Sequence, residues 1–327
     1  MGALRAEFAP PWWLRNAHVQ TLGAAVPPLP RAAPVRPDEG TVALASGEAL
    51  LRTAWWQPEP RPALLLVHGL GGSSQSAYIR HGLWHAYRAG YHAAAVTLRG
   101  SGPGGPLARS LYHAGLTEDL EATLAWLASQ PRVRGVGLIG FSLGGQVSLR
   151  LVSAPAPAPP PVAGLVTVST PFDLEAAATH IDHWRQAPYR FYMLRALVAN
   201  ALALAARAPE RVPASPARLR ALRTIRAYDD EVIAPMHGFG GARAYYDAVA
   251  CGPWLDRVRV PTLCLYAADD PMVPASTLRP FVKHASELVT FRETAQGGHV
   301  GFSHGPGQAP WAVARALEFL RARLPPV

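Results

Sequence analysis

Continuous apolar runs, rather than alternating ones, set the rhythm of this chain. Ala63–His68, His92–Leu98, Val136–Phe141, Val162–Ser169 and Val260–Ala267 are short, aliphatic and bounded by polar residues, Gly or Pro. Runs of this kind suit strands buried on both faces, as in a parallel sheet. Stretches with helical spacing lie between them. Ser76–Ala89 stops at Gly90, and Thr117–Ser129 has Thr117 as the expected N-cap, with Glu118 and Asp119 where the helix dipole favours acids. Further along, a helix around Ser276–His284, a strand over Glu287–Arg292 and a terminal helix over Pro310–Arg323 are expected. Near the start, Thr41–Ser46 and Leu51–Trp56 flank Gly47-Glu48 and read as a hairpin. The alternation predicts an α/β fold, a mostly parallel sheet of about eight strands with helices on both faces.

Three stretches break the rhythm. Residues 1–40 are rich in Pro, Arg and aromatics, with Pro10-Pro11-Trp12-Trp13 early, and read as an irregular arm wrapping the domain rather than part of the sheet. Ala154–Pro161 is a proline-alanine tract, a stiff surface connection. Residues 171–250 hold apolar helical stretches, Phe191–Ala206 and Ala242–Ala250, but no clear strand, and read as a helical cap over the site. The expected organisation is a core over 1–170, a cap over 171–250 and the rest of the core over 251–327. No internal repeat is visible.

Composition narrows the picture. A chain of 327 residues that is 49% hydrophobic can bury a large core. A net charge of +9 invites a nucleic-acid reading, but the charge is scattered arginine, Lys283 being the single lysine, with no basic run interleaved with aromatics. A solvated basic surface, mildly attractive to anionic membranes, explains it better, and nucleic acid is not an expected partner. Cys251 and Cys264 show neither a disulfide framework nor metal spacing, which fits a reducing, cytoplasmic setting. Met1–Gln20 has no apolar h-region, and the run Ala196–Ala206 is too short to cross a bilayer, so a soluble protein is expected. The oligomeric state is left open.

The chemistry gathers around Gly140-Phe141-Ser142-Leu143-Gly144. Gly-x-Ser-x-Gly between a strand and a helix is the context of a nucleophile elbow, in which small neighbours let a strained serine stand above the sheet. A serine hydroxyl needs a base, and the base an orienting acid. Asp270 follows one late strand and His299, in Gly297-Gly298-His299, follows another, in the chain order this fold type uses. Asp269 and Asp173 are weaker candidates for the acid, Asp269 being better suited to loop amides, and His304 lacks the Gly-Gly approach. His180 and His183 flank Asp182 at helical spacing but have no third ligand, so a metal site is not expected. Two backbone N–H groups would stabilise an oxyanion: Leu143, after the serine, and Leu70, in His68-Gly69-Leu70-Gly71-Gly72. That loop matches no phosphate-binding pattern, and His68 reads as a brace.

Taken together, the residues resemble the YheT-like branch of the α/β-hydrolase superfamily, esterases related to the eukaryotic abhydrolase-domain proteins. The likeness runs over nearly the whole chain. It includes Asn16-Ala17-His18-Val19-Gln20-Thr21, His68–Ser73, Tyr112-His113-Ala114-Gly115, the serine motif, Tyr228-Asp229-Asp230 with Ala234-Pro235, Asp269-Asp270-Pro271 and Gly297–Phe302. The resemblance implies the α/β-hydrolase fold and carboxylic-ester hydrolysis by Ser142, Asp270 and His299, with no metal or organic cofactor. Thr97 and Gln146 stand where relatives commonly have Asn. Membrane-bound relatives carry an N-terminal anchor, which is not expected here.

The expected function is therefore a serine hydrolase cleaving small-molecule or lipid-like acyl esters through an acyl-enzyme. The apolar cap helix suggests a short to medium acyl group. An acyltransferase with the same three residues and a non-catalytic binding protein of the same fold are the alternatives.

Overall fold

The computed structural model describes residues 4–5, 8–25, 35–155 and 162–326. The strands, in chain order, are β1 Leu4–Arg5, β2 Asp38–Ala43, β3 Ala49–Trp55, β4 Arg61–Val67, β5 His92–Val96, β6 Val133–Phe141, β7 Val162–Val168, β8 Thr262–Ala267 and β9 Val289–Thr294. They form one sheet in the order β1-β9-β8-β7-β6-β4-β5-β3-β2. Every pairing from β1 to β5 is parallel, and the β2–β3 hairpin closes one edge antiparallel. The long buried strands are those the apolar runs announce.

Successive side chains of a strand point to opposite faces, so an all-apolar strand feeds two cores. Leu65, Val67, Leu138 and Leu165 pack on one face with Leu120 and Leu124 of helix α3. Leu64, Leu66, Ile139 and Val166 pack on the other with Ile79 and Leu83 of helix α2. Here α1 is Ala17–Ala25, α2 Ala77–Arg88, α3 Glu118–Ala128 and α4 Leu143–Ser153. The helix Trp311–Arg321 also covers the α2 face. Each fully buried Leu contributes roughly 1.5–3 kcal/mol, which is why β4 and β6 hold the centre.

Between β7 and β8 the chain forms helices only. The longest are α5, Leu174–Asp182, and α6, Ala187–Arg207, with further turns and a helix at Ala242–Val249. Leu197, Ala201, Leu204 and Tyr228 of this region belong to the same apolar cluster as α3 and α4, so it is an outgrowth of one core face. Pro188 sits in the first turn of α6, where its missing N–H costs nothing, and starts the helix earlier than the apolar run suggests.

Several expectations need correcting. The arm is more than irregular wrapping: Leu4–Arg5 adds an edge strand beside β9, and Ala17–Ala25 is a helix. The helix expected around Ser276–His284 is a single tight turn at Ala275–Thr277 and a four-residue helix, Arg279–Val282, with Pro at its start. Thr117 precedes α3, but its hydroxyl bonds the Glu121 carboxylate at 2.8 Å instead of capping. Residues 156–161 of the proline-alanine tract lie outside the described residues.

Candidate active site

The turn after β6 carries a strained residue. Ser142 has φ 51° and ψ −121°, a conformation that costs a non-glycine residue about 1–3 kcal/mol. The glycines around it are required by space. A Cβ on Gly144 would lie 2.3 Å from the Val67 carbonyl oxygen, and one on Gly140 would lie 2.5 Å from the Gly145 Cα. The tight turn lifts Ser142 above the carboxyl ends of the strands, where open α/β sheets bind ligands.

His299 and Asp270 meet the serine there. The His299 Nε2 lies 3.0 Å from Ser142 Oγ, and its Nδ1 lies 2.8 Å from Asp270 Oδ2. A carboxylate can only accept, so the ring proton sits on Nδ1 and Nε2 is left to accept from the serine hydroxyl. Asp270 is itself held, its Oδ1 accepting from the Met272 and Val273 amides at 2.8 and 2.9 Å.

The competing residues have other partners. Asp269 accepts from the Gly298 amide at 2.9 Å, and burial raises its pKa. Asp173 caps α5 by accepting from Ala176 N. His304 packs edge-on against Phe8. His180 bonds the Pro271 carbonyl and His183 accepts from the Arg185 amide. Among the described residues no cluster could hold a metal ion.

A loop with three consecutive amides follows β4. The Gly69 amide donates to the Tyr78 hydroxyl at 2.9 Å and the Gly71 amide to the Tyr112 hydroxyl at 2.7 Å. Between them, the Leu70 amide has no protein acceptor among the described residues. Leu143 opens α4, so its amide has no carbonyl one turn back to bond. Leu70 and Leu143 line one cavity with Ser142 and His299. His68, fully buried, accepts from Leu98 N and donates to the Gly69 carbonyl; burial pushes its pKa down to about 4, so it is a neutral brace.

The cavity takes in about 860 Å³ of space, open solvent at its mouth included. Its walls are mainly apolar, and Leu174, Ile181, Met193, Leu197 and Ile225 of the helical stretch between β7 and β8 are among them. Gln146, fully buried, donates to the Ala114 and Val249 carbonyls and accepts from Cys251 N, tying the end of the helical stretch before β8 to α4. Both cysteines are free and buried.

Some of the supporting residues had no assigned task. Thr21 of α1 accepts from the His299 amide at 2.9 Å and passes its own hydrogen to the Ala17 carbonyl. Gln20 donates to the Leu14 and Ser303 carbonyls and accepts from Ser303 N. The arm thus anchors the loop that carries His299. Their signal in sequence is the Asn16–Thr21 motif, and that of Tyr112 is Tyr112-His113-Ala114-Gly115, while Tyr78 has none; neither motif names a partner.

Comparison with known proteins adds to this geometry. A family model described as the alpha/beta hydrolase fold matches residues 62–306. The chain is 33% identical to an Escherichia coli (strain K12) protein named "Putative esterase YheT", over 98% of this chain and 94% of that one. It is 26% identical to a Saccharomyces cerevisiae protein named "Monoacylglycerol lipase", over 80% of this chain but only 60% of the yeast protein. Among solved structures, the Pyrococcus furiosus esterase Pf2001 matches with a TM-score of 0.60 over 90% of this chain and 97% of that one, a likeness of fold at 16% identity.

Proposed function

The chain belongs to the α/β-hydrolase fold family, and we propose that it is a serine hydrolase of carboxylic esters acting through Ser142, His299 and Asp270. One observation carries this reading. A continuous hydrogen-bond path runs from Ser142 Oγ through the imidazole to a doubly anchored carboxylate, and it opens on a mainly apolar cavity. The names of the bacterial and yeast relatives point the same way.

The mechanism follows from the proton positions. As Ser142 Oγ attacks the ester carbonyl, His299 Nε2 takes its proton, and Asp270 stabilises the imidazolium and fixes its orientation. Negative charge gathers on the former carbonyl oxygen, where the free Leu70 and Leu143 amides would receive it; one such donor is typically worth about 3–4 kcal/mol in the transition state. Collapse expels the alcohol with the proton from Nε2 and leaves an acyl-enzyme. Water, activated by the same nitrogen, then releases the acid and restores the serine. The apolar walls suit a short to medium acyl chain or a lipid-like ester. Resolution by an alcohol instead of water would make the enzyme an acyltransferase, and added alcohol separates the two by the products formed.

A fluorophosphonate probe and a chain-length series of chromogenic esters test the proposal. The probe labels Ser142, and Ser142→Ala lowers ester turnover by roughly 10⁴-fold or more with the fold intact. Turnover that survives in the variant refutes it.

A further inference from the structure

The helical region between β7 and β8 brings a carboxyl to the cavity that Ser142 and His299 line. Asp229 opens a turn of π-helical winding, Asp229–Ile233, and lines the cavity together with Tyr112, Tyr228, Tyr245 and Tyr246. Single π turns inside helices are frequent at functional sites. Its Oδ2 accepts from the Tyr246 hydroxyl at 2.6 Å; among the described residues Oδ1 has no hydrogen-bond donor and the carboxyl has no cationic partner. The neighbouring Asp230 shows the contrast, since its carboxylate has an ordinary structural task in accepting from the Ala242 amide.

Burial pushes the Asp229 pKa up to about 7, with the Tyr246 hydrogen bond opposing the rise and the Asp182 charge adding to it. Oδ1 keeps access to solvent in the cavity, so a ligand that displaces that solvent without supplying a donor forfeits about 1–3 kcal/mol. A ligand that supplies the missing donor recovers that energy. Tyr245, whose ring centroid lies 5.2 Å from that of Tyr246, accepts from the Ala114 amide at 2.8 Å through Oη, and its own hydrogen has no acceptor among the described residues. An acceptor without a donor and a donor without an acceptor therefore line one cavity. A hydroxyl group, which donates once and accepts as well, matches that pair.

We propose that Asp229 and Tyr245 form a hydroxyl-binding subsite that makes the enzyme prefer esters carrying a hydroxyl remote from the scissile bond. The proposal rests on the esterase reading above. Asp229 is then a specificity residue, and the apolar walls of the cavity it shares with Ser142 hold the carbon chain that joins hydroxyl and ester. Discrimination of this kind is strong in enzymes, because an analogue without the hydroxyl leaves the buried polar groups unpaired.

Matched ester pairs test it. On the acyl side these are p-nitrophenyl hexanoate and its ω-hydroxy analogue, and on the alcohol side butyl hexanoate and the monohexanoate of butanediol. The wild type is expected to favour the hydroxylated member of one pair by about tenfold or more in kcat/KM, and that pair identifies the side the subsite serves. In Asp229→Leu the preference falls at least about tenfold, with slower turnover of the hydroxylated ester and faster turnover of the apolar one. Asp229→Asn, which keeps an accepting oxygen, retains the preference. Equal turnover within both pairs by the wild type overturns the subsite, whatever the variants do, and so does a preference that Asp229→Leu leaves unchanged. No turnover of any ester fells the esterase reading and the subsite together, whereas turnover without preference fells the subsite alone.

Discussion

The two halves of the Ser142–His299 pair are held in different ways. Ser142 is fixed by its own neighbours, where Gly140 and Gly144 clear space against the Gly145 and Val67 backbone. His299 is fixed from far away, by the Thr21 hydroxyl on its amide, the Gln20 carboxamide on Ser303 and the Asp269 carboxylate on Gly298. The first arrangement is steric and local, and it tolerates no added atom. The second is polar and assembled, so each part can be removed in turn. A nucleophile must be placed once, whereas the imidazole is placed by whatever packs against its loop.

The largest test of that contrast lies at the elbow. Gly144→Ala drives a methyl into the Val67 and His68 carbonyls at 2.3 and 2.5 Å, both backbone atoms of the central strand and its exit. Overpacking against backbone costs about 1–3 kcal/mol or more, and here it also tilts the serine. Ester turnover is expected to fall by more than about 100-fold together with a lower melting temperature. Unchanged turnover would show that the elbow is looser than its contacts imply.

Thr21 comes next. Thr21→Val preserves shape but leaves the His299 amide without its acceptor, a loss of about 1–3 kcal/mol. If the arm positions the imidazole, kcat drops by about tenfold while KM barely moves, and Thr21→Ser restores it. An equal loss in both variants, or a change confined to melting temperature, would reduce the arm to a structural wrap and erase the contrast.

The same difference explains which features are legible in the amino-acid sequence. The elbow was legible because its requirements are adjacent in sequence: an apolar strand, two spaced glycines, then helical spacing. Asp270 and His299 were legible through their places after late strands, since chain order fixes where such loops emerge. The arm was not. Thr21 meets His299 across 278 positions, and nothing in a proline-rich, irregular segment announces which amide a threonine will satisfy. Tyr78 and Tyr112 were hidden for the same reason, because each bonds a loop amide outside its own element. Asp229 was visible only as part of a motif; its bond from Tyr246, 17 positions on, exists only once the helices between β7 and β8 are folded.

The smallest expected effect separates the halves by pH. The elbow glycines carry no titratable side chain, so the deficit of Gly144→Ala is the same at every pH. Asp269 is different: burial raises its pKa above the ordinary 3.8, against the Gly298 amide, which lowers it, and with Asp270, which raises it further. An acid that holds its proton more firmly in the folded state than in the unfolded one lowers stability as pH climbs from 3.8 through the folded value. Below that window both states are protonated, and the group neither adds nor removes stability. Asp269→Asn keeps an oxygen for the Gly298 amide and has no proton to lose. Its melting temperature relative to wild type is therefore expected to rise between about pH 4 and about pH 7, by the equivalent of less than about 1 kcal/mol for this half-buried group. A gap that narrows instead would mean that the ionised carboxylate is held by the loop amides more strongly than burial disfavours it, and the histidine side would then owe part of its rigidity to charge.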